Sequence, residues 1–419
     1  MFSARALFLV LVLSVAARAE DFQGSTHALP YDEAVINYSG RTPADPVALL
    51  QKRLAGGEAA LAWDDRFGYL PALLEALHVS KSSQMLVFSK TSRQRSLISP
   101  ENPRALFFND DVYVGFIPGA PVMEVSAVDP QLGAIFYTLE QEKARPARFT
   151  RTSDCLSCHA AGRSLGVPGH ILRSIATDRR GEIDTQNERS PVDPTMPLAE
   201  RWAGWYVTGR HGAQTHLGNL IGESAFARQL KEPNYLGNLT ELSRFLEVEK
   251  YPAPGSDITA LMVLEHQAHM HNYLTRLHYE AQLMLAMYGH VRYLKNQINA
   301  FLRCLLFTEE APLTEPIVGN PEFASQFVAA GPRDHLGRSL RDLDLKTRMF
   351  RYPCSYLIYA PAFDALPDEI REVLLGRLYD ILSGKETDPQ FAGIGEEDRR
   401  AILEILRETK KGLPGYWVD

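Results

Sequence analysis

Residues 105–116 read ALFFNDDVYVGF, and residues 128–139 read VDPQLGAIFYTL. Each is a pair of short aromatic and β-branched runs split by turn formers, Asn109-Asp110-Asp111 in the first and Asp129-Pro130 in the second, which is the pattern of antiparallel strands on tight turns. Outward from them, residues 85–89 and 122–128 have the same character, and Pro118-Gly119 punctuates the join. The spacing predicts an antiparallel β meander within residues 80–145. On its N-terminal side, residues 20–44 read as a polar, turn-rich arm. Residues 45–54, with Pro46 in the first turn, and 69–78, with Leu70, Leu73, Leu74 and Leu77 three and four apart, predict two short helices. On its C-terminal side, residues 257–308 carry the longest helical signal, broken at Gly289, and 340–348, 369–383 and 397–410 repeat the pattern within a mainly helical region, 221–419. Strands first and helices later predict an α+β fold: an N-terminal β meander, a loop-rich segment over 146–220 and a helical C-terminal region. No fixed-period repeat or low-complexity tract interrupts this order.

The 419 residues are 45% hydrophobic and 23% charged, which excludes a disordered or fibrous chain. Lys and Arg number 44 against 51 Asp and Glu, so no global basic field exists to hold a nucleic-acid backbone. Residues 1–19, MFSARALFLVLVLSVAARA, combine Arg5, an apolar run and the small-x-small site Ala17-Arg18-Ala19, the form of a secretory signal peptide. The run is about half the ~20 residues a membrane span needs, and no later uncharged stretch reaches that length. Its removal leaves 42 basic and 51 acidic residues, a net of −9. The expected product is an acidic bacterial protein, periplasmic or secreted, without a transmembrane segment.

Export permits thioether and disulfide chemistry at the four cysteines, Cys155, Cys158, Cys304 and Cys354. Two of them form Cys155-Leu156-Ser157-Cys158-His159, a C-x-x-C-H motif. Thiols three residues apart can add to the two vinyl groups of one haem, and the adjoining histidine then reaches one face of the iron. A zinc ribbon would need a second C-x-x-C, and a thioredoxin dithiol a strand–helix context; neither is present. The motif predicts one covalent haem c, with Cys155 and Cys158 as attachment points and His159 as the proximal iron ligand. Residues 146–220 hold few long apolar runs, so the haem is expected to replace side-chain core there.

Candidates for the other side of the iron are, in order, His216, His211, Met196 and His170, and the approach is expected from residues 196–216 rather than from the long helix. The tryptophans in Arg201-Trp202-Ala203-Gly204-Trp205-Tyr206 are expected near the haem pocket, with Arg201 or Arg210 against a propionate. On the long helix, His266, Met270, Leu277 and Met284 share an apolar face, while Glu265, Asn272, Arg276 and Tyr279 share a more polar one, which turns His266 inward. Cys304 and Cys354 read equally as a disulfide or as two buried thiols.

Several stretches carry a resemblance: FSKTS (88–92), ALFFNDDVYVGF, VDPQLGAIFYTL, CLSCH (155–159), GVPGH (166–170), RWAGWYVTGRHG (201–212), RYPCSYLIY (351–359) and AILEILRETK (401–410). Over about four-fifths of its length the chain resembles a family of large exported bacterial cytochrome-c-domain proteins. The resemblance implies haem binding and electron transfer, and carries over Cys155, Cys158 and His159. Small class I cytochromes c differ, since they place the motif at the end of an N-terminal helix, whereas residues 145–154 here read as a proline-broken loop after a strand. Two functions follow: a periplasmic c-type cytochrome passing electrons to a redox partner protein, or a peroxidase-like, haem-dependent oxidoreductase with an open or labile distal iron site. A haem-based sensor is the weaker third.

Overall fold

The computed structural model describes residues 28–417; the expected signal peptide lies outside them. Two short helices, α1 (Pro46–Ala55) and α2 (Leu70–Ala76), precede a six-stranded antiparallel sheet in simple meander order: β1 (Met85–Val87), β2 (Arg104–Phe108), β3 (Val112–Phe116), β4 (Val122–Asp129), β5 (Gly133–Glu140) and β6 (Phe149–Arg151). A one-turn helix, α3 (Leu156–His159), follows, then a hairpin of β7 (Ser174–Thr177) and β8 (Ile183–Arg189) and a helix α4 (Glu223–Lys231). The rest is helical: α5 (Ile258–Tyr288), α6 (Lys295–Leu305), α7 (Pro321–Ala329), α8 (Pro361–Asp364), α9 (Asp368–Leu382) and α10 (Glu396–Thr409). The fold is therefore the expected α+β arrangement, a β meander followed by a largely helical region. No helix of the described residues is long and apolar enough to cross a membrane.

Local chemistry accounts for the turns. Asn109 Oδ1 accepts the N–H groups of Asp111 (3.1 Å) and Val112 (2.9 Å) between β2 and β3, and Asp129 Oδ1 accepts those of Gln131 and Leu132 (both 2.9 Å) between β4 and β5. The long helical signal divides at Gly289, whose φ of 71° ends α5 in the left-handed cap that glycine adopts without strain. Residues 340–348 are not helical. One carboxylate oxygen of Asp344 accepts the N–H groups of Lys346, Thr347 and Arg348, and this side-chain capture competes with helix formation.

The sheet separates two cores because side chains alternate across it. On one face Leu86, Phe107, Val114, Val125 and Ile135 pack with Leu50, Leu70, Leu73 and Leu74 from α1 and α2. On the other, Met85, Val87 and Phe108 join the large helical core built around α5, including Leu261, Leu264 and Leu274. Between that second face and the segment after β6 lies the cavity described next.

A candidate haem site

The pairing register puts Leu106, Gly115 and Glu124 in one row across the sheet and Tyr113, Ser126 and Phe136 in the next, all on the face toward α5. These six residues line a cavity of about 310 Å³, with Cys155, Cys158 and His159 in its wall. Gly115 contributes no side chain to this floor. Leu156, buried among the α1–α2 core, anchors the motif, and the helical turn it starts sets Cys155 and Cys158 on one side. Both are free thiols, Cys155 half-buried and Cys158 exposed. Burial pushes the Cys155 thiol up to about 11, opposite to the lowered value of a thioredoxin-type nucleophile.

His159 is held by the loop that follows. Its Nδ1–H donates to the Gly169 carbonyl at 2.9 Å, while the Gly169 N–H donates back to the His159 carbonyl at 2.8 Å. Because a carbonyl can only accept, the proton sits on Nδ1 and the lone pair on Nε2, the form a metal-ligating imidazole takes. Burial holds the ring below the usual histidine range, with the Gly169 bond acting the other way, so the imidazole is neutral at pH 7. Phe136 packs against it, ring centres 4.9 Å apart.

Basic groups converge on the same cavity. Arg104 pairs with Glu124 at 2.8 Å, and its Nε is buried without a hydrogen bond. Arg173 grips Glu188 with two donors at 2.8 and 2.9 Å, and Arg93 pairs with Asp154 at 3.1 Å. A floor that includes Leu106, Tyr113 and Phe136, a pair of thiols, a neutral imidazole with a free Nε2, and a rim of arginines suit a flat, apolar macrocycle that carries two carboxylates. The residues fit a haem c: Cys155 and Cys158 would hold it covalently, His159 would ligate the iron, and the arginines would meet its acidic edge.

Of the four candidates for the other side of the iron, His170 lines the cavity, and Met196, His211 and His216 do not. His170 is buried, bonds Ser126 Oγ through Nε2 at 2.9 Å, packs against the Tyr113 ring at a tilt with ring centres 4.0 Å apart, and leaves Nδ1 without a partner. His211 donates from Nδ1 to the Gln214 carbonyl at 2.7 Å and meets the His216 ring edge-on. Backbone pairing of Thr208 with Ser256 and of Arg210 with Val318 carries this stretch away from the sheet. Residues 196–216 contribute Trp205 to the wall, and α5 contributes Leu264 and Ala268. Arg201 is turned instead to Glu265 and to the carbonyls of Pro194 and Met196. His266 is fully buried, bonds Ser355 Oγ at 2.7 Å, and lines a second cavity of about 240 Å³ together with Cys304. Cys304 and Cys354 are free thiols, both pushed up by burial.

Tyr113, Arg104, Arg173 and Ser126 were not singled out by motif. The alternation in Val112-Tyr113-Val114-Gly115 was the available signal, since it sets Tyr113 and Gly115 on the face opposite the valines. No protein-family model, curated protein or solved structure matches the chain.

Proposed function

We propose that this protein is an exported c-type cytochrome that binds one haem c covalently and exchanges single electrons with a redox partner protein. One observation carries the reading: Cys155, Cys158 and His159 line a single cavity, and the Gly169 carbonyl keeps the His159 proton on Nδ1. The resemblance to exported cytochrome-c-domain proteins points the same way. Bound haem would supply a one-electron couple, and the chain's own groups would tune it. The neutral imidazole, its bond to Gly169 and the burial around it are levers on the potential. The acidic surface expected after export, a net of −9, suits a partner that presents a basic face.

A second reading, a haem-dependent oxidoreductase with an open or labile distal position, draws support from the cavity wall. There, His170 is the one expected distal candidate present, and its Nε2 is already engaged by Ser126. The deciding experiment is the intact mass of the denatured protein, made in a host that matures c-type cytochromes, followed by reduced spectra with and without carbon monoxide. A mass one haem above the processed chain, lost when Cys155→Ser and Cys158→Ser are combined, is expected. A bare-chain mass overturns the proposal. A spectrum shifted by carbon monoxide selects the oxidoreductase reading over the electron carrier.

A further inference from the structure

The loop that holds His159 is itself held by side chains from the long helix. Asn272, on α5 and 1% exposed, accepts the His170 N–H on Oδ1 at 2.9 Å and donates from Nδ2 to the His170 carbonyl at 2.7 Å. The side-chain amide thus reads the backbone of one residue from both sides, as a neighbouring strand would. The contact is close: a Cβ on Gly169 would stand 2.1 Å from Asn272 Oδ1, although Gly169 lies outside the left-handed region and its backbone would accept another residue. Gly169 is therefore glycine because Asn272 fills the space a side chain would need. One turn further along the helix, Arg276 donates to the Leu165 carbonyl at 2.6 Å and fastens the start of the same loop.

We infer that Asn272 is a positioning residue for the iron ligand: it fixes the Gly169–His170 peptide, and through the Gly169 carbonyl it sets the orientation and donor strength of His159. This rests on the reading of His159 as a haem ligand. The physical link is short. An imidazole whose Nδ1–H is firmly bonded is a more basic ligand, which favours the ferric over the ferrous state, and a loosened carbonyl weakens that bond. Asn272→Leu keeps the volume and removes both hydrogen bonds. It should raise the midpoint potential, with a tenfold loss of ferric preference reading as about 59 mV in a one-electron titration.

The test uses the full, haem-loaded chain in four forms: wild type, Asn272→Leu, Gly169→Ala, and Gly169→Ala combined with Asn272→Ala. Each is measured by potentiometric titration and by electron paramagnetic resonance of the ferric state. The expected result is a raised potential and shifted g-values in Asn272→Leu, and a disturbed Gly169→Ala signal that moves to that of Asn272→Leu, not to that of wild type, when Asn272 is also shortened. Unchanged potential and g-values in haem-loaded Asn272→Leu, or wild-type potential and g-values in the double variant, overturn the inference. Histidine-selective nitrogen NMR on the haem-free chain separates this from failure of the haem reading. There, the His159 Nδ1–H should be slow to exchange in wild type and fast in Asn272→Leu; equal exchange overturns the inference whether or not the chain takes up haem.

Discussion

Glu265 lies on α5 with no exposed surface, between the Arg201 guanidinium and the Trp202 indole N–H, which donates to it at 3.0 Å. Burial pushes its carboxyl up to about 7, and the adjacent Arg201 charge opposes the shift. Such a pair contributes little net stability when whole, yet breaking one side strands a charge in the interior. Arg201→Met should therefore cost about 3–5 kcal/mol at neutral pH. Adding Glu265→Gln, which keeps an acceptor for Trp202, should recover much of that loss, and chemical denaturation of the two variants measures the difference. Equal midpoints for the single and double variants would show that the charge is not what Arg201 neutralises. The composition of Arg201-Trp202-Ala203-Gly204-Trp205-Tyr206 marked this segment as a pocket wall; of its two tryptophans, Trp205 lines the cavity and Trp202 serves the buried carboxylate.

At the scale of elements, α5 spans 31 residues and carries both part of the wall of the candidate cavity and the clamp on its loop, so its ends matter. Its N-cap, Asp257, accepts the Ala260 N–H at 2.8 Å and also the Asn320 N–H from the start of α7. Burial pushes the Asp257 carboxyl up to about 6, against the backbone donors that favour its ionised form. Because the folded state binds this proton more tightly than the unfolded chain, the linked stability is present below about pH 4 and is lost as pH rises through 6. Asp257→Ala should cost about 0.5–2 kcal/mol from the lost cap. The gap to wild type should narrow as pH rises from 4 to above 6, and thermal melts across that window would show it; a gap that widens would assign the opposite shift. The polar face read on this helix from 100° spacing is real but not solvated. Glu265, Asn272, Arg276 and Tyr279 are all buried, each bonded to a segment far away in the chain.

Across the whole molecule, the segment after β6 is held between the sheet and α5, with the cavity in the middle of the contact. A ligand bound to the native state alone stabilises it by mass action, and a covalent one cannot dissociate. The haem-loaded protein should therefore melt above the variant carrying Cys155→Ser and Cys158→Ser, with protease cutting in residues 146–173 appearing first in the variant. Identical melting curves and cleavage patterns would mean that this segment packs independently of haem. Much of the architecture was legible in the chain itself. Period-two alternation and turn residues marked five of the six sheet strands, helical spacing with Gly289 marked α5 and α6, and Cys155-Leu156-Ser157-Cys158-His159 marked three residues that line the candidate cavity. These signals are local, since backbone geometry and thiol spacing act over a few residues. β6 was too short to show a period, and Asp344 hid a side-chain turn inside a helical pattern. Which groups meet was decided only by tertiary packing: Asn272 reaches His170 across 102 positions, and Tyr113 reaches His271 across 158. No local spacing encodes such pairings, because they depend on how the sheet face and the long helix close on each other, and that closure placed His170 in the cavity wall and left Met196, His211 and His216 outside it.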